Sequence, residues 1–311
     1  MALSQQIEDE FKLTEPSPYF HYNTCPEGVE YGQLGLQLKI NKRYDNPSIM
    51  SKYYLLYGKV EADILAAPGQ GIILSIYLQS DDLDEIDIVE VFGGNPYSVQ
   101  SNFFIKGNVT TYDRGEYHPV NESPMGQFHR YGIEWTPDKM TWTLDNQVIR
   151  VVPKENPYGI PDSPMALKFS LWAGGDESNE PGTIEWAGGI SNYNDVPYIM
   201  QVKNVYMNDY STGTEYCYGN SLKLNQWIDT TARNGIIASK LGNHSPGSDL
   251  DLSFLDDEEQ VEYIYEYIDE IPASTKLKNA KPLQKKESIK HKGKAGVKHK
   301  GTNREDMTKS E

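Results

Sequence analysis

Residues Asp84-Glu85-Ile86-Asp87-Ile88-Val89-Glu90 set acidic side chains among Ile and Val in a run that reads as a strand. Carboxylates beside aliphatic residues are costly unless they face a wet cleft, so this stretch has the composition of a site for acid and base work. Glu85 and Asp87 are two positions apart and share one strand face. Glu90 lies five beyond Glu85, an odd offset that turns it to the other face unless a β-bulge adds one residue. Bulges are enriched beside active sites. With a bulge, steps of roughly 3.3 Å put the two Cα atoms about 13 Å apart. Side chains leaning together close that to roughly 5–6 Å, as in a retaining glycosidase. Asp87 between them would hydrogen-bond the nucleophile and raise the acid's pKa by repulsion. The plain alternative is an exposed acidic edge strand that resists aggregation.

The elements that must hold these groups are short β-rich runs. They are read at 53–64, 71–79, 86–92, 100–105, 131–135, 141–144, 147–152, 165–171 and 198–208. Turn chemistry separates them: Pro68-Gly69, Gly93-Gly94-Asn95-Pro96, Asp145-Asn146 and Gly174-Gly175. Strands this numerous, with no amphipathic helices between them, predict an all-β sandwich or jelly roll and not a βαβ fold. The clearest hairpin pairs 140–144 with 147–152.

Four segments are expected: a loose lead-in over 1–20, a domain over 21–220, an acidic extension over 221–270 and a basic, disordered tail over 271–311. The tail has 12 Lys and Arg against 4 Asp and Glu, so it carries +8 and residues 1–270 carry −24 of the net −16. An acidic body argues against nucleic acid as the main ligand, since nothing in it would neutralise phosphates. A Lys-rich run with few apolar residues reads as a solvated extension. Within the acidic extension, 249–270 could form an amphipathic helix or stay disordered. The 22 Tyr against 8 Phe suit half-wet sheets and sugar-binding clefts alike.

Cys25 and Cys217 are the two cysteines. They lie near the ends of the expected domain, so either one disulfide ties the termini together or they are two separate thiols. No stretch reads as a membrane span, a signal region or a lipid-anchor tail. Asn108, Asn121 and Asn243 begin Asn-x-Ser/Thr triplets, which permit secretion without establishing it. No metal-ligand spacing is present and no cofactor is expected.

Residues 84–90 resemble the catalytic signature of glycoside hydrolase family 16, Glu-x-Asp-x-Glu or Glu-x-Asp-x-x-Glu on one strand. Further motifs carry the same resemblance. They are Tyr57-Gly58-Lys59-Val60-Glu61, Gln100-Ser101-Asn102-Phe103-Phe104, Thr111-Tyr112-Asp113-Arg114-Gly115-Glu116 and Phe128-His129. Leu171-Trp172-Ala173-Gly174-Gly175-Asp176 and Gly182-Thr183-Ile184-Glu185-Trp186-Ala187-Gly188-Gly189 look like the fungal Crh branch, the cell-wall chitin–glucan transglycosylases. The resemblance spans roughly 31–219. It implies a concanavalin-like jelly roll of two antiparallel sheets with a concave substrate cleft. Glu85 would be the nucleophile, Glu90 the acid/base and Asp87 the assisting carboxylate. It also implies a monomer in the extracellular wall, the spore wall included, acting on chitin or β-glucan. The Glu85-to-Glu90 spacing is the longer one, found in β-1,3-glucanase-type members, which keeps an endo-β-1,3-glucanase as the second reading. A catalytically silent wall-binding protein is the third.

Other residues are candidates for the cleft. By the resemblance, Trp172 and Trp186 would stack on sugar at the acceptor side, whereas Trp135 and Trp142 read as core. Gln100 and Asn102 either meet sugar hydroxyls or form a cross-strand polar pair. Tyr112 and Arg114 either bind sugar or belong to a loop fixed by an Asp113–Arg114 ion pair. His129 reads as structural.

Overall fold

Apolar and polar residues alternate along most of the chain, so each segment buries one face only when extended and paired. The computed structural model describes residues 1–12, 15–218 and 230–238, with the backbone alone at 222–223 and 226–227. The first strands are β1 (Gln6–Asp9), β2 (Phe20–Thr24), β3 (Val29–Gly32), β4 (Gly35–Ile40), β5 (Ser48–Leu55), β6 (Gly58–Leu65) and β7 (Ile72–Ser80). Next come β8 (Glu85–Phe92), β9 (Ser98–Phe104), β10 (Glu116–Pro119), β11 (His129–Trp135), β12 (Lys139–Leu144), β13 (Gln147–Pro153), β14 (Met165–Ala173) and β15 (Tyr198–Asp209). One helical turn, α1 (Pro181–Trp186), lies between the last two. Beyond them are β16 (Glu215–Tyr218), β17 (Leu222–Lys223), β18 (Gln226–Trp227) and β19 (Thr230–Arg233), paired 16 with 19 and 17 with 18.

Two antiparallel sheets make the sandwich. One runs β13-β12-β11-β6-β15-β4-β3, with β1 added along β15; the other runs β10-β9-β8-β7-β14-β5-β2. Leu36, Leu38, Ile49, Leu78, Phe169 and Met200 fill the space between them without solvent contact. Each such side chain contributes roughly 1.5–3 kcal/mol by leaving water. The all-β jelly roll expected from the alternation is the fold observed.

The run at 53–64 is two strands. Tyr57 takes φ 64° and Gly58 φ 155°, and the chain crosses there from one sheet to the other. A Cβ on Gly58 would lie 2.2 Å from the Asn208 carbonyl oxygen, so only glycine fits the crossing. The hairpin turn behaves as expected, with Asp145 and Asn146 both left-handed at φ 49° and 64°.

The N-terminal segment corrects the expectation of a loose lead-in. β1 pairs with β15, Gln6 opposite Asn208, and Leu3, Ile7 and Phe11 are buried in the core. The Phe11 ring meets Phe20 edge-on at 5.3 Å. Cys25 and Cys217 are free thiols, so the bridge is not formed; Cys25 Sγ instead donates to Asn46 Oδ1 at 3.0 Å. The basic tail, Asn243 and most of the acidic extension lie outside the described residues.

Candidate active site

The bulge is present. Against β7, Ser75 faces Glu90 and Tyr77 faces Asp87, so two steps on β7 oppose three on β8. Against β9 the same three steps, Asp87 to Glu90, oppose Asn102 to Gln100. The extra residue turns both Ile88 and Val89 into the core, where they are 4% and 1% exposed. Glu85, Asp87 and Glu90 are thereby left on one face. At the bulge the Trp142 indole Nε1 donates to the Asp87 carbonyl at 3.0 Å, which satisfies a backbone acceptor where the ladder is interrupted.

These carboxylates line an open cavity of about 360 Å³ on the β8 sheet, with Ser75, Tyr77 and Gln79 from β7 and Ser170 and Trp172 from β14. Thr24, Asn46 and Ser48 close its far side. Trp172 was expected in the cleft, but the β7 residues and Ser170 were missed from the sequence, although for β7 the signal was there. Ser75, Tyr77 and Gln79 alternate with Leu74, Ile76 and Leu78, a polar stripe of period two in an otherwise apolar strand.

Burial raises all three carboxylates, and their neighbours then separate them. Asp87 is driven well above the usual range by desolvation and by the charges of Glu85 and Glu90. Glu90 rises to about 8, mainly from burial and then from the charge of Glu85, against a weak opposing contact from Ser75. Glu85 rises by burial too, but hydrogen bonds from Gln79 and Asp87 and the Lys168 cation pull it back. Glu85 is therefore the carboxylate whose ionised form its neighbours favour, while Asp87 and Glu90 are those whose protonated forms are favoured.

Asp84 belongs to the same acidic run but does different work. Its side chain is fully buried and accepts from Lys106 Nζ at 2.7 Å and from the backbone N–H groups of Lys106, Asp162 and Ser163. Lys106 also pairs with Asp82 at 3.0 Å and Asp162 at 2.9 Å. The knot anchors the chain one residue before Glu85.

Trp172 and Trp186 stack with ring centroids 5.9 Å apart and planes 22° from parallel. Trp172 donates to Ser75 Oγ at 3.2 Å, and Trp186 donates to Gln100 Oε1 at 3.1 Å. Phe92 and Ile73 lie beneath them, and Tyr117 continues the aromatic row 5.8 Å from Phe92. Gln100 faces Glu90 and Asn102 faces Asp87 in the strand register, so both share the carboxylate face. Trp135 and Trp142 are wholly buried, as expected. His129 is buried with Nδ1 2.7 Å from Asp145, a structural contact.

Arg114 departs from the sugar-contact reading. It is buried, donates to the carbonyls of Asn108 and Thr111, and lies under the Phe104 and Tyr158 rings. Asp113 accepts from the Tyr158 hydroxyl and makes no ion pair with Arg114 among the described contacts. Both alternatives for the loop thus give way to carbonyl capping. Tyr112 is exposed, its ring edge-on to Phe104 at 6.5 Å, outside the cavity lining.

Residues 18–188 match the sequence profile of the glycosyl hydrolases family 16. The chain belongs to that family. Among similar proteins, the Crh-like protein CRH12 of Candida albicans is 50% identical over 236 residues, 76% of this chain and 46% of its own. Congo red hypersensitive protein 1 of Saccharomyces cerevisiae is 51% identical over 236 residues, 76% of this chain and 45% of its own. The chain thus spans about half the length of these relatives. A solved Crh5 transglycosylase in complex with NAG superposes with a TM-score of 0.68 at 39% identity, over 74% of this chain and 94% of that one. A Bacillus licheniformis β-glucanase, 20% identical over 67% of this chain and 99% of that one, shares the fold with a TM-score of 0.57.

Proposed function

We propose that this family 16 chain is a retaining transglycosylase of the fungal cell wall, with chitin as donor and β-glucan or chitin as acceptor. The observation that carries the reading is the placing of three carboxylates on one strand face across the bulge, with donors and a cation at Glu85 and burial holding the proton on Glu90. In the first step the Glu85 carboxylate attacks the anomeric carbon while Glu90 protonates the departing glycosidic oxygen. Part of what raises Glu90 is the charge of Glu85. Forming the glycosyl ester removes that charge, so the proton affinity of Glu90 falls as it must become a base. In the second step Glu90 takes the proton of an acceptor hydroxyl, whose oxygen attacks the anomeric carbon and releases Glu85 as a carboxylate.

Transfer in place of hydrolysis requires a sugar to outcompete water. The Trp172–Trp186 stack offers apolar ring faces next to the carboxylates, a surface suited to a pyranose. The likeness to a Crh5 transglycosylase bound to NAG supports a donor of N-acetylglucosamine units. The bulge favours the second reading, hydrolysis of β-1,3-glucan. Site in the wall and action as a monomer belong to the same proposal; none of the described helices is long and apolar enough to cross a membrane.

The test is incubation with chitin oligomers and fluorescent chito- or laminari-oligosaccharides, with product masses read for wild type, Glu85→Gln and Glu90→Gln. Longer labelled products that disappear in both variants are expected. Shortened β-1,3-glucan without transfer would establish the glucanase instead. No change in any polysaccharide would leave a wall-binding protein.

A further inference from the structure

Lys168 on β14 faces Tyr77 on β7, and Gln79, two residues further along β7, faces Glu85 on β8. Lys168 Nζ donates to Gln79 Oε1 at 2.7 Å, and Gln79 Nε2 donates to Glu85 Oε2. The side-chain amide is thus oriented by its neighbours. An ammonium has only donors, so it requires the amide oxygen, and the amide must then turn its NH2 to the carboxylate. The ammonium also sits over the Tyr77 ring, 5.6 Å from its centroid, which holds it in the cleft floor.

We propose that Lys168, acting through Gln79, is the positioning residue that makes Glu85 the ionised member of the carboxylate group. The inference rests on the functional reading above for its consequence, the choice of nucleophile, but not for its geometry. Among the groups around Glu85, Asp87 and Glu90 on its own strand bring negative charge or a proton, and Tyr77 from β7 is a neutral phenol held well above its usual range by burial and these carboxylates. Asp81 adds negative charge near Lys168. Among the described residues, Lys168 is the one cation whose charge is felt at Glu85. Glu90, by contrast, receives from the described residues the Ser75 hydroxyl alone. An ammonium relayed to one of three crowded carboxylates breaks their near-equivalence, and the remaining proton affinity collects on Asp87 and Glu90.

The experiment is carbon NMR of the Glu85 side-chain carboxyl in the full-length protein, assigned by its loss in Glu85→Gln. Wild type, Lys168→Met and Lys168→Arg are titrated alongside the acid limb of kcat/KM for oligosaccharide transfer. The Glu85 midpoint in Lys168→Met is expected to rise by about one pH unit, with the acid limb moving in step, and Lys168→Arg is expected to restore it. A midpoint in folded Lys168→Met that matches wild type overturns the proposal and leaves Lys168 as packing over Tyr77. Gln79→Leu keeps the question open to test if Lys168→Met does not fold: the same rise supports the relay, and an unmoved midpoint overturns it. A shifted midpoint in a protein that turns over no glycan upholds the role of Lys168 and counts against the functional reading alone.

Discussion

Glu90 titrates at about 8 because it is buried beside an ionised neighbour, and this fixes how the reaction responds to pH. A general acid works while it holds its proton, so activity should fall as pH rises through about 8, with that limb absent in Glu90→Gln. The variant should lose roughly 100-fold or more on oligosaccharides, but far less on aryl glycosides whose leaving group needs no proton. Equal losses on both substrates would remove Glu90 from the acid role. Asp87 calls for a different test. Its carboxyl donates to Glu85, so Asp87→Asn, which keeps a donor, should retain more kcat than Asp87→Ala, and the reverse order would show that the donated hydrogen bond is not what Asp87 contributes. At this scale the sequence was readable where chemistry sat on one strand: residue types and spacing named Glu85, Asp87 and Glu90 together. Lys168 and Gln79 were not found, since their relation to Glu85 exists only in the cross-strand register of β14, β7 and β8. Arg114 misled because a cation amid Tyr, Asp and Glu looks like a ligand contact, whereas carbonyl capping needs loop geometry that no residue type announces.

The bulge in β8 brings Glu90 to the cleft face, and Trp142 on β12 seals it by donating to the Asp87 carbonyl across the core. Trp142→Phe removes the donor together with part of the indole, leaving a buried acceptor unsatisfied at a cost of about 1–3 kcal/mol on top of the space left behind, a packing loss that Trp135→Phe shares. Chemical denaturation should show that loss, and transfer activity should fall more than Trp135→Phe lowers it. Trp135 donates instead to the Pro161 carbonyl, next to the Asp162 N–H that donates to Asp84, so it supports the start of β8 and not the bulge. Equal activity losses in the two variants would mean the Trp142 contact is only packing. Removing Val89 makes the complementary test. Without the extra residue the three carboxylates fall at regular alternate positions and still share one face. The deletion should therefore fold with reduced stability and keep measurable activity, whereas one more residue inserted there should abolish turnover. β7, β8, β9 and β11 to β15 were legible to within a residue or two, because they are long enough to show alternation, whereas β4 and the first half of β5 were not read. β2, β3 and β10 are four or five residues long and carry too few apolar positions to display a period. The crossing at Tyr57-Gly58 was not read because Leu55-Leu56-Tyr57 joins the two strands in one apolar run with no polar break, and only the clash with Asn208 reveals the need for glycine.

Across the whole molecule, the segments of lowest sequence signal are tied to the sandwich by one buried carboxylate. Asp209 accepts from the backbone of Ser4 at 2.9 Å, of Leu56 at 3.2 Å and of Ser211 at 3.2 Å, and from the Tyr216 hydroxyl. It joins the N-terminal segment, the β5–β6 crossing, the end of β15 and β16, which is why residues 1–9 pack on the sandwich although their composition promised little. Burial raises its pKa to about 7 in spite of these donors. The unfolded chain releases the same proton near pH 4, so between those values the folded state binds more protons. Stability must then fall as pH rises, being fully present below about 4 and lost above about 7. Glu85, Asp87 and Glu90 are raised as well and act in the same direction, as does relief of self-repulsion in a chain of net charge −16. Unfolding free energy measured by denaturant should therefore decrease from pH 5 to pH 8, with Asp209 contributing on the order of 2–3 kcal/mol of the change. In Asp209→Asn, which cannot titrate, the slope should flatten by that amount while the stability at pH 5 also drops from the loss of an acceptor. An unchanged slope would place the pH dependence in the catalytic carboxylates, and Glu85→Gln with Glu90→Gln in the same chain would then be the variant that flattens it.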